Sequence, residues 1–239
     1  MVASHLPGLS WEDVSDALEY SGLTGVVGND HHSYPVSETC ASFAGTGYGL
    51  CKHYNHPHRC EDEEYDMPSF HVLTLSFSRV SFDVESSYMQ YAWESLSNRQ
   101  IFRFDLGFDN LPHDQNDREV YWENIRKTIV DTGKALDMPL GHLLLLGDVV
   151  DNPQYIGTVQ DALMELLPHE STRASILQFS KIHQPLDPLY IAARGAAEFA
   201  KRIQEAPQEC KESRHCRKNR HPQDGDTDMK DQTSLNEEL

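Results

Sequence analysis

The sequence predicts an α/β domain, a sheet with helices packed on it, and three observations lead there. Leu143-Leu144-Leu145-Leu146-Gly147 is a short continuous apolar run closed by glycine, the pattern of a strand buried on both faces. His71–Phe77 and Val80–Val84 mix β-branched and aromatic residues with alternation, as paired strands do. Between and around them apolar residues recur at helical spacing, as in Val120, Ile125, Ile129, Val130 and Leu136.

Taken in order, Leu9-Ser10-Trp11-Glu12-Asp13 reads as a helix entry: Ser10 can cap, and Glu12 and Asp13 suit the positive end of the dipole. Val14, Ala17 and Leu18 continue the stripe, so a helix is expected from Trp11 to Tyr20, with Gly22 as its stop. Residues Asn29–Ser37 carry loop chemistry. Glu38–Leu50 is rich in small side chains that allow close approach of helices or backbone. Cys51–Pro68, rich in His and then acidic, is expected to be an exposed loop. Tyr88–Trp93 suits either strand or helix. Ile101–Leu106 is expected as a further strand and Arg118–Leu136 as a helix. A turn at Gly147 and a helix after Pro153, strongest over Thr158–Leu167, complete a βα unit, whose strand end is where open α/β sheets bind ligands. An Ala-rich helix over Pro188–Ile203 is the last ordered element expected, and residues 207–239 form a polar tail expected to be disordered.

Composition narrows the function classes. With 20 Lys and Arg against 38 Asp and Glu, the net charge of −18 argues against a general nucleic-acid binder, which needs a clustered basic surface. Only Lys211–Arg220 is basic, and it reads as a solvated extension or an anion-binding patch. No stretch approaches the roughly 20 apolar residues of a membrane helix, so no membrane partner and a cytoplasmic location are expected. The odd count of five cysteines leads to an expectation of reduced thiols. The cluster Cys51, His53, His56, His58 and Cys60 offers five ligand types for zinc within ten residues, though in no standard finger spacing. A solvated His-rich loop, or a Cys51–Cys60 disulfide in an oxidising setting, is the reading preferred over metal. Asp83, Asp105, Asp109 and Asp148 are carboxylates suited to magnesium, with a turn, cap or strand-edge role the preferred reading of each.

Four segments, in order, resemble the ATPase domain of the seventy-kilodalton heat-shock chaperones, a branch of the actin-like ATPase superfamily. Leu143–Pro153 is similar to the family's adenosine motif, an apolar strand followed by Gly-Gly-Ser-x-x-x-Pro, with the spacing from Gly147 to Pro153 retained. Asp187–Ala197 looks like the family's closing helix, Asn-Pro-x-x-x-Val-Ala-x-Gly-Ala-Ala. Glu38–Leu50 resembles its first connecting helix, with Thr39 where the family has proline. Ser76–Val84 stands where the family has its second phosphate loop, Asp-x-Gly-Gly-Gly-Thr-Phe-Asp-Val. There Phe82-Asp83-Val84 agree, while Ser76 replaces the acidic residue and Ser78, Arg79 and Val80 replace the glycines. Divergent fungal members of the superfamily share segments similar to Tyr48–Cys51 and Arg194–Ala200.

The resemblance implies a ribonuclease H-like sheet of the second lobe over residues 1–206, lacking the first phosphate loop. It also implies a vestigial nucleotide site at Gly147, Asp148, Val149, Arg79, Ser81 and Asp83. Bulky residues in place of glycines obstruct a backbone phosphate cradle, so no catalytic residue and no required cofactor are expected, with weak ATP or ADP binding left open. The function so implied is a non-catalytic chaperone-like or scaffold remnant with an unidentified protein partner. Two alternatives stand beside it: a nucleotide-dependent ATPase whose first lobe lies elsewhere, and a metal-binding interaction loop on an inert core.

Overall fold

A computed structural model describes residues 2–3, 11–21, 36–136, 140–167 and 188–205. Short strands β1 (Val2–Ala3) and β2 (Val36–Ser37) pair in parallel. The main sheet has four strands: β3 (Phe70–Phe77), β4 (Phe82–Met89), β5 (Leu96–Arg103) and β6 (His142–Leu146). Their order is β5-β4-β3-β6. β3, β4 and β5 form an antiparallel meander, with Phe77 opposite Phe82 and Val84 opposite Ile101. The chain then crosses through helix α4 (Gln115–Gly133) and returns as β6, parallel to β3 with Leu73 opposite Leu143.

The remaining helices are α1 (Trp11–Tyr20), α2 (Glu38–Gly45), α3 (Pro57–Tyr65), α5 (Pro153–Leu166) and α6 (Ile191–Glu205). Their starts follow from local chemistry. The Ser37 hydroxyl accepts from the Cys40 amide at α2, Asp114 caps α4, and Asn152 caps α5 just before Pro153.

Alternation along the strands divides the core in two. Leu73, Leu75, Phe77, Phe82, Val84 and Leu143 face α4 and α5, where they meet Ile125, Ile129, Tyr155, Val159 and Leu163. Val72, Met89 and Leu144 face the other way, against Cys40, Ala41, Phe43 and Ala44 of α2 and Phe199 of α6. β6 supplies buried residues to both, as a continuous apolar run requires.

Several expectations need correction. The region Cys51–Pro68 is not an open loop: α3 occupies half of it, and both Cys51 and Cys60 are buried. Those two cysteines form the disulfide weighed for an oxidising setting, against the general expectation of reduced thiols. The strand expected at Ile101–Leu106 lies earlier, and Phe104–Leu106 and Phe108–Asn110 are single 3-10 turns. Tyr88–Trp93 resolves as the end of β4, which runs to Met89, and the turn after it. At Gly195, α6 crosses α2 closely. A Cβ on Gly195 would lie 1.7 Å from the Ala41 carbonyl oxygen, and one on Gly45 would lie 2.1 Å from that of Ile191. Of the loop expected over Asn29–Ser37, Val36–Ser37 form β2, while the rest, the Gly22 stop and the polar tail fall outside the described residues.

Candidate functional site

The carboxyl ends of the parallel strands β3 and β6 bring the predicted site residues into one neighbourhood. Gly147, with φ of 110°, turns the chain immediately after β6, and a Cβ there would lie 2.0 Å from the Phe77 carbonyl oxygen. Only glycine meets both demands, the left-handed backbone and the close approach. Phe77 leads directly into the Ser78–Ser81 turn between β3 and β4, so the two turns equated with adenosine and phosphate loops are adjacent. Asp148 is exposed, and Val149 packs partly into the core under α4 and α5.

The Ser78–Ser81 turn is closed on itself. The Ser78 amide donates to the Ser81 carbonyl at 3.0 Å, and the Ser81 amide donates to the Ser78 hydroxyl at 3.1 Å. Its carbonyls are taken as well: Phe108 N–H donates to Ser78 O at 3.0 Å and Asp109 N–H to Arg79 O at 2.8 Å. Gly107 sits so close behind the turn that a Cβ on it would meet the Val80 carbonyl carbon at 2.2 Å and the Ser81 nitrogen at 2.4 Å. Arg79 is exposed and pairs with Asp109 at 3.2 Å. That ion pair lies in water and is worth a few tenths of a kcal/mol, about the cost of releasing Arg79 to an incoming anion. A phosphate cradle needs amides pointing outward from bare backbone. Two of this turn's amides, those of Ser78 and Ser81, are engaged within the turn instead.

Asp83 lies two residues beyond the turn, on the sheet face covered by α2. Gln100 of β5 donates to its Oδ2 at 3.0 Å, while its buried Oδ1 has no hydrogen-bond partner. Burial, with Glu85 and Glu38 nearby, outweighs the Gln100 hydrogen bond and pushes the Asp83 carboxyl up to about 7. Glu38, at the start of α2, is raised for the same first reason, burial, and by Glu85. Glu85 itself accepts a hydrogen bond from the Thr39 hydroxyl at 2.5 Å. These carboxylates, Glu85 buried and Asp83 and Glu38 half-buried, form an acidic group on one face, and proton retention by Asp83 lowers the cost of holding them together.

The other three carboxylates singled out for magnesium do not join it. Asp105 binds Arg103, Asp109 binds Arg79, and Asp148 faces solvent. Sequence reasoning missed Glu38, Glu85 and Gln100 as partners of Asp83. The period-two relation of Asp83 to Glu85 was the available signal, since both point to one face of β4.

The His-Cys segment resolves differently from a zinc site. Cys51 and Cys60 are joined, and Cys60 Sγ lies 3.5 Å from a Glu64 carboxylate oxygen that also accepts from Trp93 Nε1 at 3.2 Å. His53 pairs with Glu63 at the surface.

No protein-family model matches this chain, and no curated protein matches it in sequence. Among the described residues no helix is long and apolar enough to cross a membrane.

Proposed function

We propose that this chain is a non-catalytic, chaperone-like or scaffold domain built on the second lobe of an actin-like ATPase, with a nucleotide site that has lost its phosphate-handling half. The observation that carries the reading is the self-closed Ser78–Ser81 turn beside Gly147. The strand order supports the ancestry: an antiparallel meander followed by a helical crossover to a strand parallel to the first accords with a ribonuclease H-like sheet. The adenosine-type turn keeps its glycine and the proline that opens the next helix.

Phosphoryl transfer depends on positioned phosphate contacts and charge stabilisation. Val80 stands where the resemblance has a glycine of the phosphate loop, two of the turn's amides are engaged within it, Ser76 stands where an acidic residue would organise hydrated magnesium, and the Asp83 carboxyl is raised to about 7. What the geometry retains is an apolar and backbone surface at Gly147–Val149, with Arg79 as a nearby cation. Such a surface takes a nucleoside weakly and turns nothing over. The partner that a scaffold of this kind holds is a protein. Calorimetric titration with ATP and ADP, with and without magnesium, tests the proposal. Absent or weak binding that magnesium does not improve agrees with it, and tight magnesium-dependent ATP binding contradicts it.

A further inference from the structure

Cys51, Cys60 and Glu64 put three metal-ligating atoms within 4.8 Å of one another. α3 accounts for two of them: Cys60 and Glu64 are four residues apart on one face of the helix, with Cys60 Sγ and Glu64 Oε1 3.5 Å apart. The third comes from the chain just ahead of α3, where the Cα of Cys51 lies 5.1 Å from that of Cys60. In a tetrahedral zinc site, with Zn–S about 2.3 Å and Zn–O about 2.0 Å, a sulfur and an oxygen ligand lie ~3.5 Å apart and two sulfurs ~3.8 Å apart. The sulfur-to-carboxylate spacing already has that size. Once their bond is broken, the two sulfurs reach theirs by side-chain rotation, because the Cβ atoms of bonded cysteines are themselves about 3.8 Å apart.

The neighbours hold these atoms in place. Trp93 Nε1 donates to Glu64 Oε1 at 3.2 Å and fixes the carboxylate, which keeps lone pairs for a metal. Arg202 of α6, only 9 % exposed, donates from Nη1 to the Cys51 carbonyl at 2.5 Å and holds the same nitrogen 3.7 Å from Cys51 Sγ. Glu198 in turn fixes Arg202 at 2.9 Å. Outer contacts of this kind orient metal ligands and tune their affinity. Both cysteines are buried and Glu64 is half-buried, so water reaches a fourth position from the carboxylate side. The histidines of the segment are not required, and His53 is engaged by Glu63 at the surface.

We infer that Cys51, Cys60 and Glu64 bind zinc when the disulfide is reduced, so that one clamp is a covalent bond in an oxidising setting and a metal site in a reducing one. A dithiol supplies the two electrons and two protons: its own sulfurs join, the Cys51–Cys60 bond breaks, and both cysteines become thiols. Zn2+ then displaces the two thiol protons to water and takes the Glu64 carboxylate and a water molecule as its third and fourth ligands. Two thiolates and a carboxylate select zinc over the hard ions magnesium and calcium. In either state Cys51 and Cys60 stay linked, and α3 stays tied to Trp93 and to Arg202 of α6. This inference uses no residue of the Gly147 neighbourhood and stands apart from the nucleotide reading.

The test is cobalt titration of the full chain, because tetrahedral cobalt bound by thiolate absorbs where zinc does not. Cys210→Ser and Cys216→Ser are present throughout, so that no other thiol pair competes. The protein is reduced with a dithiol, freed of it under nitrogen and titrated with Co2+ beside a sample kept oxidised. The reduced sample is expected to take up one Co2+ per chain with thiolate-to-cobalt bands that Zn2+ bleaches, and the oxidised sample to show none. Glu64→Gln, which keeps the side chain's shape and an acceptor for Trp93, is expected to weaken cobalt binding by about tenfold or more. Cys60→Ser is expected to remove the bands. Three results overturn the site: a reduced chain without thiolate-to-cobalt bands, whether or not it stays folded, an affinity unchanged by Glu64→Gln, or bands of parental strength in Cys60→Ser.

Discussion

Replacing Gly195 by alanine probes how α6 is seated on α2. The new Cβ would lie 1.7 Å from the Ala41 carbonyl oxygen, 2.7 Å from its carbon and 2.8 Å from the Gly45 nitrogen. All three are backbone atoms, so no side chain can swing away. Close carbon-to-oxygen contacts settle at roughly 3.3 Å, so the helices must part by about 1.5 Å. Overpacking of this kind costs ~1–3 kcal/mol or more. Alanine recovers ~1 kcal/mol of helix propensity over glycine, which offsets only part of it. A net loss of about 1–2 kcal/mol follows, a fall in Tm of roughly 2–8 °C for a chain of this size. Gly157 in α5 is the control, because a Cβ there meets nothing within 4 Å and Gly157→Ala collects the propensity gain alone. Thermal unfolding followed by circular dichroism reads both. A Gly195→Ala midpoint equal to or above that of the parent chain refutes the close crossing.

The other structural predictions follow from single contacts. Replacing Cys51 and Cys60 by serine opens a short loop, their sequence separation being 9, and lowers stability by ~2.5 kcal/mol in denaturant unfolding; an unchanged midpoint means the bond does not form. Because the Asp83 carboxyl is raised from 3.8 to about 7, its stabilising proton is fully held below pH 3.8 and lost as pH rises through about 7. The slope reaches at most about 1.4 kcal/mol per pH unit in that window. Asp83→Asn flattens this part of the Tm-against-pH curve and stabilises the protein at pH 8; parallel curves for the two proteins disprove the assignment. Gly107→Ala drives a Cβ into the Val80–Ser81 backbone and destabilises by ~1–3 kcal/mol, while Arg79→Ala, breaking an exposed ion pair, shifts stability by less than ~0.5 kcal/mol. Equal losses from the two would show that the turn is held by its ion pair and not by its backbone clamp.

Much of this fold is legible in residue patterns, and the failures have physical causes. β6 stood out because a strand buried on both faces must be apolar throughout, and α1, α2 and α4 because their stripes or small residues are continuous. β5 was misplaced because it is an edge strand: Leu96–Arg99 are exposed, so alternation carries no signal there, and the apolar Phe104 and Leu106 lie in 3-10 turns instead. α3 was missed since only Cys60 of its nine residues is buried, which leaves no stripe to find. The Cys51–Cys60 pairing was legible as an alternative for an oxidising setting, but an odd cysteine count in a chain of this size argues for reduced thiols, and Arg202, which donates to the Cys51 carbonyl, is 151 residues away. For the site, the turn at Gly147 and the altered loop at Ser78–Ser81 were readable from residue types. Their adjacency through Phe77, the clamp by Gly107 and the carboxylate group of Glu38, Asp83 and Glu85 depend on strand pairing that no local pattern encodes.

Phosphate release from ATP by the full-length chain, measured at steady state with magnesium against a buffer control, bears most directly on the central claim. A turn with two of its amides engaged internally and a serine in place of the magnesium-organising acid together predict release at background. Reproducible release above the control that survives extensive purification and falls on Asp83→Ala or Asp148→Ala would contradict that account and make the chain an active ATPase.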